Sequence, residues 1–193
     1  MLMNKRILIT GANGFIGSNI IYELLANSTP VTALVREKSN IDYLKKIKCY
    51  NIIQTDNYLD PIVIRKLSMS KPEYIVHCAW SNNQLKDTKN LIKILELAKN
   101  INCKGFITIG TYKEYGQLEK NLSEDTICIP KNSYSRSKYA FYMLTQEICA
   151  SLDIKHIHLR LGIPYSNRKD SNFYFNDVIK KIYKDELVLL KNI

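Results

Sequence analysis

Apolar and polar positions follow two periods along this chain. Short apolar runs recur, and between them apolar residues return every third or fourth position. Arg6–Thr10 predicts a first strand. Phe15–Asn27 carries Phe15, Ile16, Ile20, Leu24 and Leu25 at helical spacing, and Ser28-Thr29-Pro30 ends that helix. Val31–Val35 predicts a second strand, Ile41–Ile47 a short helical piece and Tyr50–Gln54 a third strand. Pro61–Ser68 is helical in pattern, with Pro61 near its first turn. Tyr74–Cys78 is a fourth strand, and Lys89–Asn100 a strong helix with Leu91, Ile92, Leu95 and Ala98 on one face. Phe106–Ile109 is a fifth strand. A long loop, Thr111–Asn132, leads to a helix over Ser133–Ser151, and Lys155–Leu161 is a sixth strand. Beyond Gly162 the regularity weakens, with a helical pattern over Asn172–Lys184 and a short strand over Glu186–Leu190.

Strands alternating with helices, without tight hairpin signals, predict an α/β fold: a doubly wound Rossmann-type parallel sheet with helices on both faces. Ligands on such sheets bind at the carboxyl ends of the strands. That edge gathers Gly11, Arg36, Asp56, Ala79, Thr111 and Ile163. The expected division is a nucleotide-binding domain over 1–165 and the start of an incomplete substrate region over 166–193. There is no internal repeat and no low-complexity tract.

Composition narrows the picture. Hydrophobic content of 46% and charged content of 24% suit a soluble globular domain. No apolar run has the length of a membrane span and no signal peptide is apparent, so the expectation is a cytoplasmic protein without a membrane partner. The five cysteines are odd in number and lack paired metal spacing, so they are expected as free thiols, with no metal site. The net charge is +10. The lysines are spread over helix faces and loops and no nucleic-acid motif accompanies them. A lysine-rich composition with anionic small ligands is therefore favoured over a nucleic-acid partner.

The glycines of Gly11-Ala12-Asn13-Gly14-Phe15-Ile16-Gly17 stand between a strand and a helix. One permits the sharp turn, one lets the backbone approach a pyrophosphate, and one lets helix and strand pack closely. The helix start adds N–H groups and the positive end of its dipole. At the end of the second strand stands Leu34-Val35-Arg36-Glu37-Lys38. An acid there suits a ribose 2′-hydroxyl and an arginine a 2′-phosphate. Arg36 and Lys38 favour NADP, and Glu37 keeps NAD as the alternative. Asp56 is read either as an acceptor for the adenine amino group or as a plain loop acid. His77 and Cys78, adjacent on a strand, face opposite sides and are read as structural, and Trp80 as shaping the pocket mouth.

Tyr134 and Lys138 lie four residues apart on one helix face. An ammonium beside a phenol lowers its pKa and readies it for proton transfer. Thr111 offers a hydroxyl to polarise the same oxygen. With 13 tyrosines in the chain the spacing alone is weak, and Tyr165-x-x-x-Lys169 also fits it. Tyr134 begins a long amphipathic helix, whereas Tyr165 follows Pro164 in an irregular stretch and is read as chance.

Together, Thr10-Gly11-Ala12-Asn13-Gly14-Phe15-Ile16-Gly17, Thr111-Tyr112-Lys113-Glu114-Tyr115-Gly116, Pro130 with Tyr134-Ser135-Arg136-Ser137-Lys138, and Leu159-Arg160-Leu161-Gly162 resemble motifs of one family, in its order. They are similar to those of the extended short-chain dehydrogenases/reductases, the NAD(P)-dependent sugar-nucleotide epimerases and dehydratases. The resemblance implies a pyrophosphate turn of Gly11, Asn13, Gly14, Phe15, Ile16 and Gly17, an adenosine end held by Arg36 and Asp56, and Ala79 against the cofactor. It implies Thr111, Tyr134 and Lys138 as catalytic residues, with Tyr134 and Lys138 also touching the cofactor. The Glu114-Tyr115-Gly116 and Cys78-Ala79-Trp80 segments most resemble reductases of nucleotide-linked 4-keto-6-deoxyhexoses. The implied partners are a nucleotide sugar and a second copy of the chain. Asp87 stands where the family carries Asn, with Asn82 and Asn83 nearby. Family members are longer, with a C-terminal substrate lobe. The expectation is thus an NADPH-dependent reductase or epimerase, and its alternative a truncated, catalytically silent NAD(P)-binding module.

Overall fold

A computed structural model describes residues 5–81, 83–116, 121–165 and 174–186. The elements are β1 (Ile7–Thr10), α1 (Phe15–Ala26), β2 (Val31–Val35), α2 (Asp42–Lys46), β3 (Ile52–Gln54), α3 (Pro61–Ser70), β4 (Tyr74–His77) and α4 (Gln84–Asn100). They continue with β5 (Gly105–Thr111), a 3-10 turn (Tyr112–Tyr115), α5 (Ser133–Ser151), β6 (Lys155–Leu161) and α6 (Tyr174–Tyr183). The chain divides into two compact units, one through Leu161 and one from Gly162 on, and α6 belongs to the second.

In the first unit all strand pairings are parallel, in the order β3-β2-β1-β4-β5-β6. This is the doubly wound order, with the reversal between β1 and β4. β1, β2 and most of β5 are buried on both faces, which is why they read as continuous apolar runs. Successive side chains alternate across the sheet. Leu8, Leu34, Ile75 and Phe106 pack with Leu67, Leu91, Ile94 and Cys149 from α3, α4 and α5. Ile9, Ala33, Val35, Val76 and Ile109 pack on the opposite face with Ile21 and Leu44 from α1 and α2.

The structure moves several predicted boundaries. β3 starts at Ile52, and Tyr50 is exposed. α4 starts at Gln84, five residues before its apolar periodicity, because the Asn83 side chain caps it by accepting from the Lys86 N–H at 3.0 Å. Asp60 caps α3 in the same way through Ile62 N–H. β4 ends at His77, before Cys78. β5 runs on through Thr111, so Thr111 closes the strand and does not open a loop, and the next residues form the 3-10 turn. Asn82, Lys169 and the strand expected over Glu186–Leu190, apart from Glu186, lie outside the described residues.

Candidate active site

The turn after β1 is built as the glycine spacing requires. Gly11 has φ +62°, and a Cβ there would stand 2.7 Å from the backbone nitrogen of Ala79. At Gly17 a Cβ would stand 2.6 Å from the Gly11 carbonyl oxygen, so the third glycine sets how closely α1 approaches the turn. Gly14 is the N-cap of α1. The first-turn amides, those of Phe15 and Ile16 among them, therefore stand at the end of β1, where an anion is favoured. Thr10 ties the two central strands: its Oγ1 lies 2.8 Å from His77 Nδ1 and accepts from the Ala79 N–H at 3.4 Å.

Two adjoining hollows of about 380 and 510 Å³ open along this edge, sharing Asn13, Arg36, Tyr58, Lys86 and Asn90. The first holds Gly11, Gly14, Ala79 and Trp80, and the second adds Lys38 and Asp56. Of the sequence-predicted pyrophosphate and adenosine residues, Gly11, Asn13, Gly14, Arg36 and Asp56 line this trough with Ala79, while Phe15, Ile16 and Gly17 are not among its lining residues. Its outer end carries Arg36, Lys38 and Lys86 against the single carboxylate of Asp56. Lys86, Tyr58 and Asn90 were not indicated by any sequence pattern. They reach the trough because α4 begins early and β3 is followed directly by the Tyr58 loop.

At the inner end, α5 begins at Ser133, capped by Asn132, whose side chain accepts from Ser135 N–H at 2.9 Å. This cap puts Tyr134 and Lys138 in the first turns. The Lys138 ammonium is buried, donates to the Ile109 carbonyl at 3.0 Å and lies 3.9 Å from the centre of the Trp80 ring. Tyr134 meets the same indole edge-on, with centroids 6.2 Å apart. Trp80 is therefore the contact that Tyr134 and Lys138 share. Thr111 is buried at the end of β5, two residues beyond the carbonyl that Lys138 holds.

Electrostatics correct one expectation. Burial, then the Glu114 charge, push the Tyr134 phenol above its ordinary range, where a neighbouring ammonium was expected to lower it. The reason is geometric: among the described residues the ammonium is turned to Ile109 and Trp80. Burial lowers Lys138 itself to about 8, opposed by the charges of Glu114 and Asp87. His77 is held neutral by burial and by Lys138, at about 3. Burial pushes the Cys78 thiol up to about 12, which disfavours the thiolate at neutral pH. Both fit the structural reading given to them.

Two buried carboxylates support the site. Asp87 accepts from the Ser81 N–H at 3.0 Å and from its hydroxyl at 2.7 Å, tying the loop after β4 to α4. Glu114 is fully buried and accepts from the Thr111 N–H at 2.8 Å, from Arg160 Nε at 3.1 Å and from His158 Nε2 at 2.9 Å. Burial raises its pKa, but these hydrogen bonds and the His158 charge outweigh it and hold the carboxyl below the usual range. The signals were present in the sequence: Thr111-x-x-Glu114 is a capping box, and His156, His158 and Arg160 alternate onto one face of β6.

The family profile described as the NAD dependent epimerase/dehydratase family matches residues 7–192. The chain belongs to this family. It is 32% identical over 149 residues to GDP-6-deoxy-D-talose 4-dehydrogenase of Aggregatibacter actinomycetemcomitans, a match covering 69% of this chain and 45% of that protein. It is 26% identical over 192 residues to CDP-abequose synthase of Salmonella muenchen, covering 95% of this chain and 61% of that one. Its fold is similar to UDP-glucose 4-epimerase of Thermotoga maritima with UDP-glucose, with a TM-score of 0.78 at 23% identity, over 97% of this chain and 66% of that one. It is also similar to the UDP-glucose 4-epimerase of Thermus thermophilus in complex with NAD, with a TM-score of 0.77 at 23% identity, over 95% and 64%. The chain thus spans about half to two thirds of the length of these relatives. Among the described residues no helix is long and apolar enough to cross a membrane.

Proposed function

We propose that this chain is the cofactor-holding part of an NADPH-dependent oxidoreductase acting on nucleotide sugars, reducing the 4-keto group of a 6-deoxyhexose nucleotide. The observation that carries the reading is the trough itself, which runs from Arg36, past the Gly11 turn, to an indole shared by Tyr134 and Lys138. The relatives support the substrate class, since a 4-dehydrogenase of a 6-deoxy sugar nucleotide run in reverse is a 4-keto reduction.

The residues fit a dinucleotide. The Gly11 turn leaves no room for a side chain, and α1 begins where a pyrophosphate needs amides. Arg36 and Lys38 offer charge to a 2′-phosphate. When bound, the nicotinamide supplies the hydride. The protein's part is proton placement and orientation. Tyr134 is protonated at neutral pH and can donate to a developing alkoxide, although burial and the Glu114 charge raise its pKa and so weaken it as an acid. Lys138, charged at neutral pH and oriented by Ile109 and Trp80, is the residue this reading assigns to a ribose hydroxyl. Thr111 directs its hydroxyl to the carbonyl oxygen as an electrophilic partner.

The test is a titration of NADPH and NADH followed by addition of nucleotide-linked 4-keto-6-deoxyhexoses, reading loss of nicotinamide absorbance. Turnover in the parent chain with about a 10²–10⁴-fold loss in Tyr134→Phe, cofactor binding retained, is expected. Cofactor binding without oxidation, for any such sugar, overturns the reductase reading.

A further inference from the structure

We infer that Glu114 is a positioning residue of this site: its carboxylate, clamped by His158 and Arg160 of β6, holds the backbone N–H of Thr111 and so fixes where β5 delivers the Thr111 hydroxyl. The role assigned to that hydroxyl rests on the function proposed above. The clamp itself does not.

A capping glutamate ordinarily sits on a surface and reaches back to a free helix amide. Glu114 departs from that pattern. It has no exposure, and each oxygen is engaged: Oε1 with Thr111 N–H, and Oε2 with His158 Nε2 and Arg160 Nε. An ionised carboxylate only accepts, so His158 Nε2 carries the proton in this bond. The other ring nitrogen, Nδ1, lies 2.8 Å from the Thr108 hydroxyl, which also lies 2.9 Å from His156 Nε2. Arg160 is held in turn, by Tyr115 OH at 3.4 Å and by the rings of Tyr115 and Tyr142. The chain gives up a side chain to make room, because a Cβ on Gly110 would overlap both His158 Nε2 and Glu114 Oε1. A helix cap alone needs none of this. A carboxylate locked from both strands transfers the rigidity of β6 to the last residue of β5.

The charge also reaches the proton-handling groups. The groups that face Glu114 are Thr111 from β5, His158 and Arg160 from β6, Cys128 from the loop before α5, and Tyr134 and Lys138 from α5. Its charge raises Tyr134 and Lys138 alike, so it favours a protonated phenol and a charged ammonium together.

The full chain tests this with Glu114→Gln, Glu114→Asp and His158→Asn. Two readouts are taken: hydrogen exchange of the Thr111 amide by NMR, which needs no substrate, and the pH profile of turnover. In E114Q the Thr111 amide is expected to exchange at least about tenfold faster. NADPH Kd is expected to stay within about threefold, kcat to fall more than KM changes, and the alkaline limb to move acidward by about one pH unit. E114D keeps the charge one methylene short, so the limb returns toward the parent while the amide stays unprotected. H158N removes one clamp and gives an intermediate exchange rate. An unchanged amide and limb in E114Q overturn the proposal, as does fast Thr111 exchange in the parent chain, which decides the matter if E114Q does not fold. If no sugar nucleotide is turned over, the proposed reaction fails while the amide result still judges the clamp.

Discussion

The ammonium of Lys138 stands 3.9 Å from the centre of the Trp80 ring. Burial has already lowered this lysine to about 8, opposed by the charges of Glu114 and Asp87, and the ammonium is further held by the carbonyl of Ile109 and the indole face. A desolvated cation–π contact is worth about 1–2 kcal/mol. Trp80→Leu is expected to lower Lys138 by about one further pH unit. The alkaline limb of NADPH binding, measured by calorimetry against pH, then moves from near 8 toward 7, and Trp80→Phe returns it. An unchanged limb in W80L means that the indole adds nothing to the charge.

Arg36 directly follows β2 and lines the outer hollow together with Lys38 and Lys86. A charge-assisted contact to a 2′-phosphate is worth about 1.5–3 kcal/mol, or roughly 10–100-fold. Arg36→Ala should weaken NADPH by that factor and leave NADH nearly unchanged. Equal losses for both dinucleotides, or none, would remove the argument for the phosphorylated cofactor.

Gly11→Ala places a methyl group against the Ala79 backbone at a φ of +62°. The left-handed backbone costs about 1–2 kcal/mol and the overlap adds to it. A loss of roughly 2–4 kcal/mol is expected, read as a fall in Tm of roughly 5–15 °C, with weaker cofactor binding. Parent-like melting would mean that the two strand ends separate more easily than their packing shows.

His77 titrates at about 3 in the fold, because it is buried beside Lys138, and near 6.5 when unfolded. The unfolded chain therefore binds the proton first as pH falls. Stability fully present above pH 6.5 is lost progressively down to pH 3, by up to about 5 kcal/mol. His156, lowered to about 4 mainly by burial, acts in the same direction. The measurement is Tm against pH from 7 to 4, where His77→Gln should show the shallower slope. Coincident slopes would place the acid sensitivity elsewhere.

Much of the fold was legible because the sheet is buried on both faces. Val31–Val35 and Lys155–Leu161 appear with the boundaries that their patterns predict, as does the helix over Ser133–Ser151. The Gly11–Gly17 turn was legible because only glycine tolerates that approach. What stayed hidden depends on side chains meeting from distant strands. Glu114 is a plain acid in a polar stretch until β6 brings His158 and Arg160 to it. The first turns of α4 carry no apolar period and are set by the Asn83 cap. The proximity rule for Tyr134 and Lys138 held for the helix face and failed for the phenol, because the backbone carbonyl of Ile109 and the indole of Trp80 took the ammonium.

The contact between Gly11 and Ala79 also sets an order of events for a chain being synthesised. The glycine turn leaves the ribosome before β2, β3 and β4. The wall it packs against arrives only with β4, after α1, β2, α2, β3 and α3 have been made. The early β1–α1–β2 unit therefore carries the fingerprint without its backing. On the function proposed above, a nucleotide would meet the completed turn only once the strand ending at His77 has paired beside β1.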